Sequence, residues 1–144
     1  MFDIVAIEFG TPEFDAAVRL RYEVLRRPLG LDYTAEQLAE EFDQLHLAAF
    51  DRSGELIAYL NLTPKNQQEV KMRQVAVASG WQGRGVGQAL VQYSEMMARD
   101  HGFTQMILHA RETAVPFYEK LNYQKKGERF EEVTIPHFYM EKTL

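Results

Sequence analysis

Ile4, Ala6 and Glu8 alternate with Val5, Ile7 and Phe9 in a largely apolar run that stops at Gly10, which predicts a first strand. Thr11-Pro12-Glu13 then spells a helix start, with a hydroxyl cap, proline at the first helical position and an acid in the first turn. Phe14, Ala17, Val18, Tyr22 and Leu25 recur at helical spacing, so this helix is expected to end near Arg27-Pro28. Thr34-Ala35-Glu36-Gln37 is a capping-box sequence that opens a second, short helix through Phe42. Leu45 to Phe50 and Leu56 to Leu62 are apolar runs separated by Asp51-Arg52-Ser53-Gly54, a hairpin signal, and Val70 to Ala78 is a third run. Val86, Leu90, Tyr93 and Met97 mark a helix that His101-Gly102 closes. A short β-rich run at Gln105 to Ala110, a helix from Thr113 to Leu121, and a strand pair at Tyr123 to Arg129 and Val133 to Glu141 complete the chain. The predicted order is β-α-α-β-β-β-α-β-α-β-β, an α/β (α+β) arrangement.

The segment Gln82-Gly83-Arg84-Gly85-Val86-Gly87 lies between the third apolar run and the helix that follows it. Glycines let backbone approach a ligand closely, and a helix beginning there aims unpaired N–H groups and the positive end of its dipole at an anion. Glycine spacing alone fits both a pyrophosphate cradle and a plain strand-to-helix turn. Two other phosphate loops fit less well. The dinucleotide fingerprint wants Gly-x-Gly-x-x-Gly, and the triphosphatase loop wants Gly-Lys followed by Ser or Thr; neither is present.

In context this loop resembles the Gln/Arg-x-x-Gly-x-Gly/Ala segment of the GNAT superfamily of N-acetyltransferases, and it follows a strand ending Gln74-Val75-Ala76-Val77, where that family places it. A second segment, Ala114-Val115-Pro116-Phe117-Tyr118-Glu119-Lys120-Leu121-Asn122-Tyr123, resembles the family's Ala-x-x-Phe-Tyr-Glu-Lys-x-Gly-Phe. The resemblance implies one N-acetyltransferase domain over residues 1–144, with a mixed central sheet of about seven strands, four helices and two splayed central parallel strands. It also implies acetyl-coenzyme A as co-substrate, a primary amine on a small molecule, lysine or N-terminus as acceptor, and direct attack of that amine on the thioester. On the same basis Gln82, Gly83, Arg84, Gly85, Val86 and Gly87 would bind the pyrophosphate, and the backbone of Val75, Ala76 and Val77 would pair with pantetheine. Arg111 replaces the asparagine that the family often carries before its last helix, and is a further candidate for the cofactor or the acceptor.

Tyr118 occupies the place of the family's general-acid tyrosine; a phenol with a reference pKa of about 10 keeps its proton at neutral pH and can give it to a thiolate. The same ring could serve as packing. Glu69, His109, Glu132 and His137 lie on segments able to face an acceptor and are the candidate bases. Arg21, Tyr22, Tyr33, Glu131 and Tyr139 join Glu132 and His137 as candidate acceptor-lining groups. Asn122 stands where the family has glycine, at a position expected to be left-handed, which asparagine tolerates. A non-catalytic acyl-coenzyme A sensor is the competing reading.

Composition narrows the setting. The 144 residues contain no cysteine, which excludes disulfides, thiolate metal sites and a cysteine nucleophile, and suits a reducing cytoplasm. The four histidines lack metal-ligand spacing, so no metal is expected. Met1-Phe2-Asp3 lacks the basic start of a signal peptide, and no apolar run approaches the roughly 18 residues of a membrane span. The net charge of −5 argues against nucleic acid and favours a cationic small substrate. The acidic run Glu36 to Asp43 reads as a solvated helix face, and nothing in the sequence decides between a monomer and a homodimer.

Overall fold

Thr11 caps the first helix as its sequence requires, its hydroxyl accepting from the Phe14 amide at 3.3 Å. Thr34 and Gln37 exchange reciprocal side chain to backbone bonds of 3.1 and 3.0 Å, a complete capping box. The computed structural model describes residues 1–144. In chain order its elements are β1 (Phe2–Ile7), α1 (Pro12–Arg21), α2 (Ala35–Ala39), β2 (Leu45–Asp51), β3 (Leu56–Pro64), β4 (Glu69–Val77), α3 (Val86–Asp100), β5 (Gln105–Arg111), α4 (Val115–Lys120), β6 (Gln124–Glu132) and β7 (Ile135–Thr143). The order is the one predicted, and the strands form one mixed sheet, β1-β2-β3-β4-β5-β7-β6.

Strand alternation sorts the two faces. Leu60 and Leu62 of β3 join Val70, Leu90, Met106 and Met140 in an apolar core beneath α3 and α4. Tyr59 and Asn61 point the other way, toward the layer made by α1 and α2. Regular α1 ends at Arg21, earlier than expected, and continues as a π-helical turn (Tyr22–Arg26) and a 3-10 turn (Arg27–Leu29). Proline at position 28 removes a backbone donor there, and Gly30 closes the segment at φ 69°.

The β4–β5 pair is parallel and brief. It is in register only from Glu69 to Met72 against Gln105 to Leu108. Beyond that point the strands splay, because β4 carries one extra residue: Asn61 faces Arg73 while Tyr59 faces Ala76, and Gln74 sits at φ 59°. A bulge of this kind bends its strand and interrupts the ladder.

Two expectations fail in the α1–α2 layer. Glu41 is not on a solvated face; it is 4% exposed and bonds Arg21 in a bidentate pair with both distances 2.7 Å. Arg21 is fully buried with its guanidinium over the rings of Tyr33 and Tyr59, so it does not line an acceptor site. The expected strand start at Val133 is instead a two-residue turn. Glu132 pairs with Ile135, and Val133 and Thr134 have φ of 45° and 68°, values that β-branched residues rarely take. No helix is long and apolar enough to cross a membrane.

The buried pair generates a stability prediction. Arg21→Ala leaves Glu41 without its counter-charge and should cost about 3–5 kcal/mol, whereas Arg21→Met combined with Glu41→Leu should recover most of that loss. Urea unfolding of both variants measures the difference.

Candidate active site

The loop between β4 and α3 is shaped by its glycines. Gly83 and Gly85 have φ of 76° and 84°, and Gly85 caps α3. The first intrahelical bond runs from Ala89 to the Gly85 carbonyl at 3.1 Å, so the amides just before Ala89 have no helical acceptor and face outward from the helix start. Gly87 is less constrained: a methyl there would meet Phe117 and Val77 at 3.5 Å, an ordinary contact. Gln82 donates to the Val77 carbonyl at 3.0 Å and ties the loop to β4. Arg84 is folded back, with its guanidinium 4.2 Å from the Trp81 ring and a 3.3 Å bond to the Gly80 carbonyl.

Where β4 and β5 part, a cavity of about 300 Å³ opens between them. Val75 and Gln74 line it from β4, Ala110 and Arg111 from β5, and Ala114 and Tyr118 from the segment that follows. Ala76 and Val77 continue β4 past the cavity, in register with Tyr59 and Ala58 of β3. Tyr118 is held by the end of its helix, since its carbonyl accepts from the Leu121 and Tyr123 amides, each at 3.0 Å. Asn122 closes that helix at φ 74°, the left-handed position that the sequence foresaw.

Three of the four candidate bases converge on the same cavity. Glu132 lies between two histidines, with Oε1 3.2 Å from His109 Nδ1 and Oε2 3.7 Å from His137 Nε2. His137 is pinned through Nδ1 to the Ile135 carbonyl at 2.9 Å. Lys71 Nζ is 3.3 Å from His109 Nδ1, so that nitrogen sits between a carboxylate and an ammonium and one proton position satisfies only one of them. Glu69 is elsewhere. It lies at the closed end of the β4–β5 ladder, opposite Gln105, where its carboxylate accepts from Asn66 at 2.9 Å.

A family model described as an acetyltransferase (GNAT) domain matches residues 22–144. The chain belongs to the GNAT acetyltransferase family. The Bacillus subtilis (strain 168) protein YyaT, uncharacterized itself, is 26% identical over 131 residues, covering 83% of this chain and 85% of YyaT. A Lactobacillus plantarum structure described as a candidate N-acetyltransferase superposes with a TM-score of 0.89 at 24% identity, over 99% of this chain and 98% of that one. An aminoglycoside 6'-N-acetyltransferase complexed with coenzyme A gives 0.82 at 20% identity, over 98% and 96%. The two structural likenesses establish a shared fold.

Within this GNAT fold, environment separates the titrating groups. Burial alone pushes the Tyr118 hydroxyl well above its ordinary range. Burial lowers His109, against the opposing pull of Glu132, and lowers Lys71 with help from the charge of Arg73. Burial would raise Glu132, but the His109 bond and the charges of His109, Lys71 and His137 outweigh it and hold the carboxyl below its usual value. At neutral pH His109 is therefore neutral and Glu132 ionised.

Several lining residues were not singled out from sequence. Lys71 and Arg73 alternate with buried Val70 and Met72, so the strand pattern already put them on the second face; nothing indicated that this face opens into a cavity. Leu25 and Arg26 reach the site from the π-helical turn, where a regular helix was expected. Arg111 bonds the Leu25 carbonyl through Nη2 at 2.8 Å and fastens that turn to β5.

Imidazole titration by NMR checks the electrostatics. His109 should titrate below the ordinary 6.5, and Glu132→Gln should lower it further, because the carboxylate is what favours the protonated ring. A rise on removing Glu132 would contradict the assigned geometry.

Proposed function

We propose that this GNAT acetyltransferase transfers an acetyl group from acetyl-coenzyme A directly to a primary amine. The observation that carries the reading is that one cavity, at the gap between β4 and β5, is lined by Val75, Tyr118, His109 and Glu132 together. Bound coenzyme A in the structurally similar aminoglycoside enzyme supports the choice of co-substrate.

The residues present fit acetyl-coenzyme A as a substrate. Left-handed Gly83 and Gly85 expose main chain ahead of a fifteen-residue helix, a setting for pyrophosphate, with Gln82, Arg84, Val86 and Gly87 completing the loop. The unpaired edge of β4 from Val75 through Ala76 to Val77 offers backbone groups to the amide-bearing pantetheine arm.

The chemistry requires a neutral amine and a protonated leaving group. Glu132, or His109 beside it, takes a proton from the incoming ammonium, directly or through one water. The freed lone pair attacks the thioester carbon and the C–N bond forms; the nitrogen, now carrying an extra proton, gives it up to solvent, and the C–S bond breaks as the tetrahedral intermediate collapses to the neutral amide. Tyr118 gives its proton to the sulfur and is reprotonated from solvent. Its raised pKa keeps that proton in place across the neutral range.

Two substitutions test separate parts of this reading. Gly85→Val forces a branched residue to φ 84° and should weaken coenzyme A binding at least tenfold by calorimetry, while Arg84→Ala, which removes a group already lying on Trp81, should do less. Tyr118→Phe should leave coenzyme A affinity nearly intact and lower kcat by roughly 10²–10⁴-fold in thiol-release assays. A wild-type kcat with chemistry rate-limiting would return Tyr118 to a packing role.

A further inference from the structure

The cavity carries a charge opposite to that of the chain. The protein's formal charge is −5, yet Arg26, Lys71, Arg73 and Arg111 line the site and Glu132 is the one acid in its wall. None of the four cations takes part in any of the protein's ion pairs. Arg111 donates to a carbonyl, Arg26 lies 4.6 Å over the Tyr33 ring, and Lys71 faces an imidazole.

Holding unpaired like charges in a partly buried space costs free energy. The strain is visible within the set: burial and then the charge of Arg73 depress Lys71, while burial and then Arg26 depress Arg111. A chain with 21 carboxylates and 16 Lys and Arg side chains had acids to spare for neutralising these groups, and the fold uses them elsewhere. An anion brought in by a ligand would relieve the repulsion, and guanidinium forks match the oxygens of carboxylate and phosphate.

That ligand need not be coenzyme A. Its pyrophosphate is assigned to the glycine loop, none of the four cations belongs to that loop, and its acyl end is uncharged. The volume, about 300 Å³, suits a small molecule.

Building on the acetyl-transfer reading, we infer that the acceptor is a small amine that also carries an oxyanion group, carboxylate or phosphate, held by Arg26, Arg73 and Arg111 while its amine meets Glu132 and His109. The cationic substrate that net charge alone suggests would face four cations and a single acid. Net charge steers and solubilises; it does not describe a site.

The test compares four amines of similar length by thiol release with acetyl-coenzyme A: β-alanine, O-phosphoethanolamine, ethanolamine and 1,3-diaminopropane. The wild type should show kcat/KM at least tenfold higher for β-alanine or O-phosphoethanolamine than for ethanolamine, with the diamine lowest, and the better of the two acids names the oxyanion. Arg73→Gln and Arg26→Gln should erase that preference through KM, with coenzyme A affinity changed less than twofold. Equal use of ethanolamine, preference for the diamine, or a loss of coenzyme A affinity in Arg73→Gln would overturn the inference. A second measurement needs no turnover: calorimetry of N-acetyl-β-alanine, N-acetyl-O-phosphoethanolamine and N-acetylethanolamine on the complex with coenzyme A. Tighter binding of either acid without transfer to any amine would sink the acetyl-transfer reading and keep the anion site. Equal or absent binding of all three would sink the anion site.

Discussion

Tyr33 donates its hydroxyl to the Gln74 side chain at 2.7 Å, and this bond holds the one extra residue of β4 in a left-handed backbone conformation. A non-glycine residue there costs on the order of 1–3 kcal/mol and persists only where its surroundings fix it. The consequence is geometric. With the extra residue, β4 follows β5 only as far as Met72 and Leu108, and the gap that opens beyond is the cavity. Without it, an uninterrupted ladder would close the space that Val75, Tyr118, His109 and Glu132 share.

What fixes Tyr33 lies further back in the same layer. Its ring takes the guanidinium of Arg21 on one contact and that of Arg26 on another, each 4.6 Å from the centroid. Arg21 is in turn held by Glu41, whose backbone carbonyl also meets His46 Nε2 at 3.0 Å. His46 reaches Tyr59 at 2.6 Å, and Asn61 donates to the same phenol. A buried ion pair of this kind adds little net stability compared with an apolar replacement. Its contribution here is positional: it links α1, the start of β2 and β3 to the residue that shapes β4.

The legible parts of the sequence were those governed by local chemistry. Thr11, Thr34 with Gln37, and Asn122 each do a backbone task set by their neighbours, and each does it as read. The glycine loop was legible because left-handed φ at Gly83 and Gly85 is a local demand. What stayed hidden depends on partners far along the chain. Glu41 reads as solvated until Arg21, twenty positions away, comes to meet it. Gln74 gives no sign of a bulge, since its partner Tyr33 is forty-one positions away. Val133-Thr134 spells a strand, and only the register of β6 on β7 makes it a turn. Glu69 and Glu132 cannot be told apart as candidate bases without knowing which end of β4–β5 is open.

The same opening accounts for how the two ends of the proposed reaction are kept apart. Tyr118 sits among apolar neighbours, edge-on to Phe117 and Tyr123, and burial alone acts on it, which stabilises the protonated form a general acid needs. Glu132 sits at the polar mouth, where His109, His137 and Lys71 favour its ionised form, the form a base needs. Pairs of titrating groups pushed in opposite directions by their surroundings are how a site can run acid and base steps at one pH. Here the separation follows from the sheet itself. Tyr118 belongs to the α4 segment that packs on the core side, whereas His109, His137 and Glu132 come from the strand face and turn on the other, and the splay is what gives both sides access to one cavity.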